Sequence, residues 1–299
     1  MKLQVSHRTS YRYGEPVTTS HHEARVSPRD RENQRVLSHD LDVQPQPEAR
    51  RRRFDYFGNR TLSFSLSEPH RGLEVVARSV VELTAPPPPN LDATPAWDQV
   101  TRRVRDDRHR DILDACSMSF DSPRVAASEE LRAYALPSFT AGRPILRAVR
   151  DLTSRIHDDF RYDGTATDVT TPISDVMRDR RGVCQDFAHV AIGCLRSLGL
   201  PARYVSGYLL TRPPPGRPKL VGADASHAWF ATFVPGQGWI DFDPTNDLIP
   251  EDEHVTVAFG RDFDDVTPIR GVILGGGQHE VTVAVDVDML EAMESASGA

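Results

Sequence analysis

Three residues of this chain could together carry out nucleophilic chemistry, and they are Cys184, His227 and Asp243. Cys184 lies at the predicted start of an apolar helix, where unpaired N–H groups and the helix dipole favour a thiolate. A neighbouring imidazolium would stabilise that thiolate further, and a carboxylate bound to the imidazole would fix its orientation. The sequence therefore offers the side chains of a Cys-His-Asp triad, while an inert cysteine is the alternative that spacing alone leaves open.

The helix predicted to begin at Cys184 contains a second cysteine in a different environment. Cys194 belongs to an apolar stripe of residues three and four apart, which comprises Phe187, Val190, Ala191, Leu195 and Leu198. We therefore expect Cys194 to be a small buried hydrophobe, and Gly199 followed by Pro201 predicts the end of the helix. His189 lies five residues after Cys184, a rotation of about 140°, and is predicted to be partly buried support.

His227 opens a predicted strand, HAWFATFV, and a second predicted strand ends at Asp243 before Pro244. The loop PGQG between these strands predicts a hairpin that would bring Asp243 back beside His227. Asp241 has the same parity along the strand, so alternation alone does not choose between the two carboxylates. The position of Asp243 at the strand end, level with His227, favours Asp243.

The rest of the chain predicts an α+β protein with three parts. Residues 1–85 alternate with period two between turns such as Gly58-Asn59, which is typical of an antiparallel β-sandwich. Residues 86–140 begin with four prolines and predict a stiff linker followed by a helical connection. Residues 141–299 predict a catalytic core of helices and strands, in which a final strand pair turns at Gly275–Gly277.

Composition excludes several classes of function. The 299 residues carry a net charge of −7, which argues against nucleic acid as a partner, and no run of about 18 apolar residues predicts a membrane span. Three cysteines, an odd number, and a first segment that resembles a strand rather than a secretion signal predict a reduced, cytoplasmic protein. No pair of cysteines or histidines has zinc-ligand spacing, since His21 and His22 are adjacent on a strand. Neither a metal nor a cofactor is expected.

The motifs RGVCQDFAHV, LRSLGLPARYVSGYL and ASHAWFATFVPGQGWIDFDPTN, taken together, resemble the core of bacterial transglutaminase-like proteins, which are cysteine enzymes with a papain-like fold. The resemblance implies that Cys184 is the nucleophile, His227 the general base and Asp243 the third member of the triad. The segment FDYFGNRT resembles the N-terminal region of the same family. The family implies acyl transfer or hydrolysis at an amide, with a protein or peptide substrate and a thioester intermediate.

The motifs leave three questions open. The backbone N–H of Cys184 is the natural first donor to an oxyanion, and Tyr162 and Gln185 are candidates for the second. Trp229 is expected to pack in the core or to line the acyl-binding cleft. An amine acceptor would make a transglutaminase and water a protease or amidase, whereas a non-enzymatic binding scaffold is disfavoured because all three triad residues are present.

Overall fold

The computed structural model describes residues 1–211 and 226–290 of the chain, so the predicted loops at 211–218 and just before His227 lie largely outside the described residues. The strands of the described part are β1 (Lys2–Ala24), β2 (Gln34–Gln44), β3 (Ala49–Phe54), β4 (Arg60–Leu66), β5 (His70–Leu83), β6 (Arg161–Tyr162), β7 (Arg181–Gly182), β8 (Ala202–Leu209), β9 (Ser226–Val234), β10 (Gly238–Phe242), β11 (His254–Gly260), β12 (Ile269–Gly275) and β13 (His279–Met289). The α-helices of the same part are α1 (Trp97–Asp106), α2 (Arg110–Cys116), α3 (Glu129–Ala135), α4 (Ile145–Asp159), α5 (Ile173–Asp179), α6 (Cys184–Ser197) and α7 (Phe263–Val266). The predicted α+β class is confirmed.

The N-terminal strands form one antiparallel sheet around β1. The first half of β1 pairs with β5 and its second half pairs with β4. The sheet continues through β2 beyond β5 and through β3 beyond β4. Apolar side chains from both halves, among them Val17, Phe64 and Val75, share one buried cluster, so the two halves of this sheet have a common core.

The C-terminal strands do not form the predicted pair. We expected β12 and β13 to pair with each other inside the 141–299 unit, but both pair antiparallel with β1, end to end along the edge opposite β4 and β5. β1 has 23 residues, which gives an edge long enough for both. Gly275, Gly276 and Gly277 have φ angles of 91°, 87° and 58°. They connect β12 to β13 while both strands keep the same direction, antiparallel to β1. The last strands therefore complete the N-terminal sheet.

A second antiparallel sheet, in the order β10-β9-β8-β11, supports the helix α6. The helix α6 packs against β8 and β9, with α3, α4 and α5 beside it. Its apolar stripe is buried as predicted, and Cys194 is completely inaccessible. The apolar side chains of α4 from Ile145 to Ile156, and Phe160 directly after the helix, are buried in the same cluster.

The segment 86–140 contributes to this core as well as connecting the two sheets. It is extended around the four prolines, but Val100, Leu131 and Phe139 are buried in the cluster that also contains the residues of α6. Leu3 and Val287, on strands of the N-terminal sheet, join the same cluster. The two sheets and the helices are therefore packed through one continuous apolar core. No helix among the described residues is long and apolar enough to cross a membrane.

Candidate active site

Cys184 is the first residue of α6, and the residues around it fix the helix start at this position. Val183 is the extended N-cap residue, and its N–H donates to Oδ2 of Asp186 at 2.8 Å. Thr167 donates its hydroxyl to the same oxygen at 2.6 Å. A carboxylate in the first turn thus pairs an N–H that would otherwise lack an acceptor, and Cys184 is held at the positive end of the helix.

Gly182 is required because the capping carboxylate occupies the space of a side chain. A Cβ at this position would lie 2.5 Å from Oδ2 of Asp186. The backbone is also held from the opposite side, since β7 pairs in parallel with β6 and the Asp163 N–H donates to the Gly182 carbonyl at 2.9 Å. The glycine ahead of Cys184 in the sequence therefore serves the helix cap.

His227 and Asp243 meet at the open end of the β9–β10 hairpin. His227 is the second residue of β9, Asp243 directly follows β10, and the two strands are antiparallel neighbours. His227 donates from Nε2 to Oδ2 of Asp243 at 2.7 Å. The same imidazole lies close enough to the side chain of Cys184 for the two groups to interact electrostatically. The structure thus brings together the three residues that the sequence singled out.

Asp241, which alternation left as an alternative, has different partners. Its carboxylate accepts hydrogen bonds from Arg31 at 2.7 Å and from the indole N–H of Trp229 at 3.2 Å. Arg31 belongs to the N-terminal domain, so Asp241 pairs with a cation from outside the catalytic core. Asp243, at the strand end, is the carboxylate that contacts His227.

The electrostatics of the site favour an imidazolium at His227. Burial would lower its pKa, but the hydrogen bond to Asp243 and the nearby Cys184 raise the pKa to about 10. Burial would likewise raise the pKa of Asp243, yet the hydrogen bonds from His227 and His254 hold it well below the usual range of a carboxyl group. Around neutral pH the site therefore combines a charged imidazole with a charged carboxylate, directly beside the thiol.

A second histidine, which the sequence did not point to, completes the surroundings of Asp243. His254 donates from Nε2 to the same Oδ2 at 3.0 Å, and Asn246 donates its amide to that oxygen at 2.7 Å. The other carboxylate oxygen accepts the backbone N–H groups of Thr245 at 2.9 Å and Asn246 at 3.3 Å. His254 begins β11, whose run of β-branched and aromatic residues was the available signal for a strand.

The remaining predicted site residues lie in three different places. Tyr162 is more than half exposed on β6, and burial together with the nearby Cys184 raises the pKa of its phenol, so it remains available to a bound substrate. The side chain of Gln185 lies on a different side of α6, where it lines a pocket of about 550 Å³ with His189. Trp229 is completely buried and stacks on His227 with ring centroids 5.9 Å apart. It packs behind the imidazole, so it does not line an accessible cleft.

Comparison with known proteins places this arrangement in a family. Residues 3–82 match the bacterial transglutaminase-like N-terminal region, and residues 133–244 match the transglutaminase-like superfamily. An uncharacterized protein of Mycobacterium tuberculosis is 38% identical over 291 residues, which cover 96% of this chain and 92% of that protein. The chain belongs to the transglutaminase-like superfamily.

Other similarities agree with this membership in the superfamily. The crystal structure of a candidate cysteine protease from Cytophaga hutchinsonii superposes with a TM-score of 0.75 at 23% identity, covering 98% of this chain and 91% of that one. This likeness extends the shared fold to both domains. A protein-glutamine gamma-glutamyltransferase of Pseudomonas aeruginosa is 38% identical over 81 residues, which are 26% of this chain and 12% of that protein.

The transglutaminase-like site contains one group of side chains with the spacing of metal ligands, and hydrogen bonds join its members. Among the described residues, His227, Asp243 and His254 are the group whose potential ligand atoms all lie within 4.8 Å of one another. Both imidazoles already donate to Oδ2 of Asp243, which also accepts from Asn246. Nε2 of His227, Nε2 of His254 and Oδ2 of Asp243 therefore all take part in hydrogen bonds.

Proposed function

We propose that this protein is a cysteine enzyme that cleaves or transfers an amide acyl group through a thioester on Cys184. The observation that carries the proposal is the imidazole of His227, which is hydrogen-bonded to Asp243 and lies beside the side chain of Cys184. The thiolate attacks the amide carbonyl and forms a C–S bond. His227 gives its proton to the departing nitrogen as the C–N bond breaks. Asp243 keeps the ring oriented and stabilises its cation.

The second half of the cycle returns the enzyme to its starting state. His227, now neutral, takes a proton from water or from an amine, and that nucleophile attacks the thioester carbonyl. The C–S bond breaks, and Cys184 leaves as the thiolate beside the reformed imidazolium. Water as acceptor gives hydrolysis of the amide, whereas an amine gives acyl transfer.

An oxyanion forms on the carbonyl in both halves, and the start of α6 supplies a donor to it. The N–H of a residue in the first helical turn has no acceptor within the helix, and that of Cys184 is adjacent to the attacking sulfur. Tyr162 is the second candidate donor because its phenol is exposed and close enough to Cys184 for the thiol to influence its pKa. Gln185 is a weaker candidate, since its side chain lines the separate pocket.

A protein or peptide is the proposed donor, through a glutamine carboxamide or a backbone amide. The short similarity to a protein-glutamine gamma-glutamyltransferase makes the glutamine side chain the first donor to test. A glutamine peptide should be supplied with and without a primary amine, and the products should be identified by mass spectrometry. Deamidation in both mixtures would assign hydrolysis, and an amine adduct would assign acyl transfer.

The first test is whether Cys184 is an activated nucleophile. Iodoacetamide labelling between pH 5 and 9, followed by peptide mapping, should modify Cys184 in the wild type and spare the buried Cys194. His227→Ala should slow the reaction near neutral pH by at least about tenfold, because the imidazolium that favours the thiolate is lost. If the labelling rate rises only above about pH 8, where an ordinary thiol ionises, and is unchanged by His227→Ala, the proposed function is wrong.

A further inference from the structure

The carboxylate that orients His227 is shared with a second histidine. His254 and His227 donate from Nε2 to the same Oδ2 atom of Asp243, at 3.0 and 2.7 Å. Asp243 is completely buried and His254 is 6% exposed. A carboxylate oxygen between two imidazoles cannot turn towards one without changing its distance to the other. The orientation of Asp243 is therefore coupled to the position of His254.

The direction of the hydrogen bond from His254 follows from its other ring nitrogen. Nδ1 of His254 is buried and has no hydrogen-bond partner. Nε2 faces a carboxylate oxygen that can only accept, so Nε2 must carry a proton. His254 thus donates to Asp243, and no hydrogen bond at its other ring nitrogen holds the ring in a different orientation.

Packing holds both imidazoles around the same indole. The ring of Trp229 stacks on His227, and the ring of His254 meets Trp229 edge to face with centroids 5.1 Å apart. Trp229 is in turn fixed by the hydrogen bond from its indole N–H to Asp241. The two histidines therefore have defined positions against one buried ring, with their own centroids 5.8 Å apart.

The strand that carries His254 is held by the N-terminal domain. β11 is at the edge of the core sheet, and two side-chain amides pair with its backbone as a further strand would. The amide of Gln34 donates to Thr256 O at 2.7 Å and accepts from Thr256 N at 2.8 Å. The amide of Asn59 does the same at Phe259, with distances of 2.7 and 2.8 Å.

We infer that His254 is a positioning residue for the proposed reaction: it fixes Oδ2 of Asp243 so that His227 is presented to Cys184 in the productive orientation. This inference rests on the proposed function. His254 acts through Asp243 and does not itself touch the reacting atoms. It also gives the N-terminal domain a role at the site, because Gln34 and Asn59 hold the strand from which His254 projects.

Two substitutions separate the hydrogen bond from the volume of the ring. His254→Phe keeps a planar ring but removes the donor, whereas His254→Gln restores an N–H near the position of Nε2. His22→Phe is the matched control, since His22 is also buried, at 7% exposure, but lies on β1 and stacks on Phe64. For each variant the rate of Cys184 alkylation is measured from pH 5 to 9, together with the melting temperature.

We expect His254→Phe to lower the alkylation rate near pH 7 by about tenfold, the factor associated with losing one hydrogen bond to a charged group. The rising part of its pH profile should move to higher pH. His254→Gln should stay within about threefold of wild type, and His22→Phe should keep the wild-type profile. A purely structural His254 would lower the melting temperature in both variants without moving the pH profile.

Two results would overturn the inference: a wild-type profile for His254→Phe, or a His254→Gln variant as slow as His254→Phe. If wild-type Cys184 itself reacts no faster than an ordinary thiol, the proposed function fails first, which distinguishes the two failures. If His254→Phe does not fold, nitrogen-15 NMR of the wild-type histidines can show which ring nitrogen of His254 carries the proton. The His254 signal is assigned as the one that is missing in His254→Gln. The proton is expected on Nε2, and a proton on Nδ1 alone would contradict the inference.

Discussion

The pairing of Gln34 with the edge of β11 predicts that one amide stabilises the whole core. Gln34 is 2% exposed and makes three hydrogen bonds, two with Thr256 and one to the carbonyl of Arg29 at 2.6 Å. Gln34→Met has nearly the same shape but no polar atoms. It leaves the Thr256 N–H and the Arg29 carbonyl without partners, while Thr256 O keeps the Arg29 N–H at 3.2 Å.

The size of the effect follows from the two groups left unpaired. A buried polar group without a partner costs about 1–3 kcal/mol, so Gln34→Met should reduce the free energy of unfolding by about 2–6 kcal/mol. That is a large part of the roughly 5–15 kcal/mol that separates a folded domain from its unfolded state. At about 2–4 °C per kcal/mol for a chain of this size, the melting temperature should fall by roughly 5–20 °C.

The measurement is urea unfolding at 25 °C, followed by tryptophan fluorescence. Gln4→Met is the control, because Gln4 is exposed on β1 and should change the free energy of unfolding by less than about 0.5 kcal/mol. Hydrogen exchange should also show loss of protection at the Thr256 amide. A loss below about 1 kcal/mol, with the Thr256 amide still protected, would refute the assignment of Gln34 as a side-chain extension of the sheet.

Three further predictions concern the helix cap, acid stability and the second cysteine. Gly182→Ala should displace the capping carboxylate, lower the free energy of unfolding by about 1–2 kcal/mol and slow alkylation of Cys184, and unchanged unfolding and labelling would contradict the steric argument. Burial lowers the pKa values of His7 and His189 to about 4, so the unfolded chain binds protons first. Stability should therefore decrease as the pH falls from about 6.5 to about 4, by roughly 3 kcal/mol per histidine, and each histidine's replacement by Gln should flatten that part of the urea-midpoint profile. Cys194→Ser should cost about 1–3 kcal/mol by burying a hydroxyl among apolar side chains, with the labelling rate of Cys184 unchanged, and a slower rate would show that Cys194 contributes to the site.

The sequence predicted those parts of the site that depend on local pattern. A glycine, a cysteine and an apolar stripe ending at Gly199 were enough to place Cys184 at a helix start, because caps and helical periodicity are properties of neighbouring residues. The short PGQG loop likewise placed His227 and Asp243 on adjacent strands, since a hairpin closes within a few residues. The structure positions both elements as those patterns predicted.

The parts that could not be predicted depend on contacts between distant segments. Every residue of β11 is buried, so the strand lacks the alternation that marks one exposed face, and nothing local connects His254 with Asp243. The pairing of β12 and β13 with β1 joins residues at least 245 positions apart, such as Ala24 and Ile269 or Val5 and Val287. The local pattern at the three glycines was equally compatible with a tight turn that pairs β12 with β13. The two strands instead pair with the free edge of β1, which no local pattern indicates.

Asp241 and Asp243 show how the surroundings separate two carboxylates that the sequence pattern treats alike. Both lie on the same side of one hairpin strand, and both are buried, which alone would raise their pKa values. Asp241 is kept charged by the guanidinium groups of Arg31 and Arg203, and its carboxylate also accepts a hydrogen bond from the indole of Trp229. Asp243 is kept charged by two imidazoles and three amide donors, so its charge is shared with a ring that can release and recover a proton. The partners therefore differ: guanidinium groups surround Asp241, whereas two imidazoles bind Asp243. Under the proposed function, this difference leaves Asp241 as structural support and lets Asp243 orient the ring of His227.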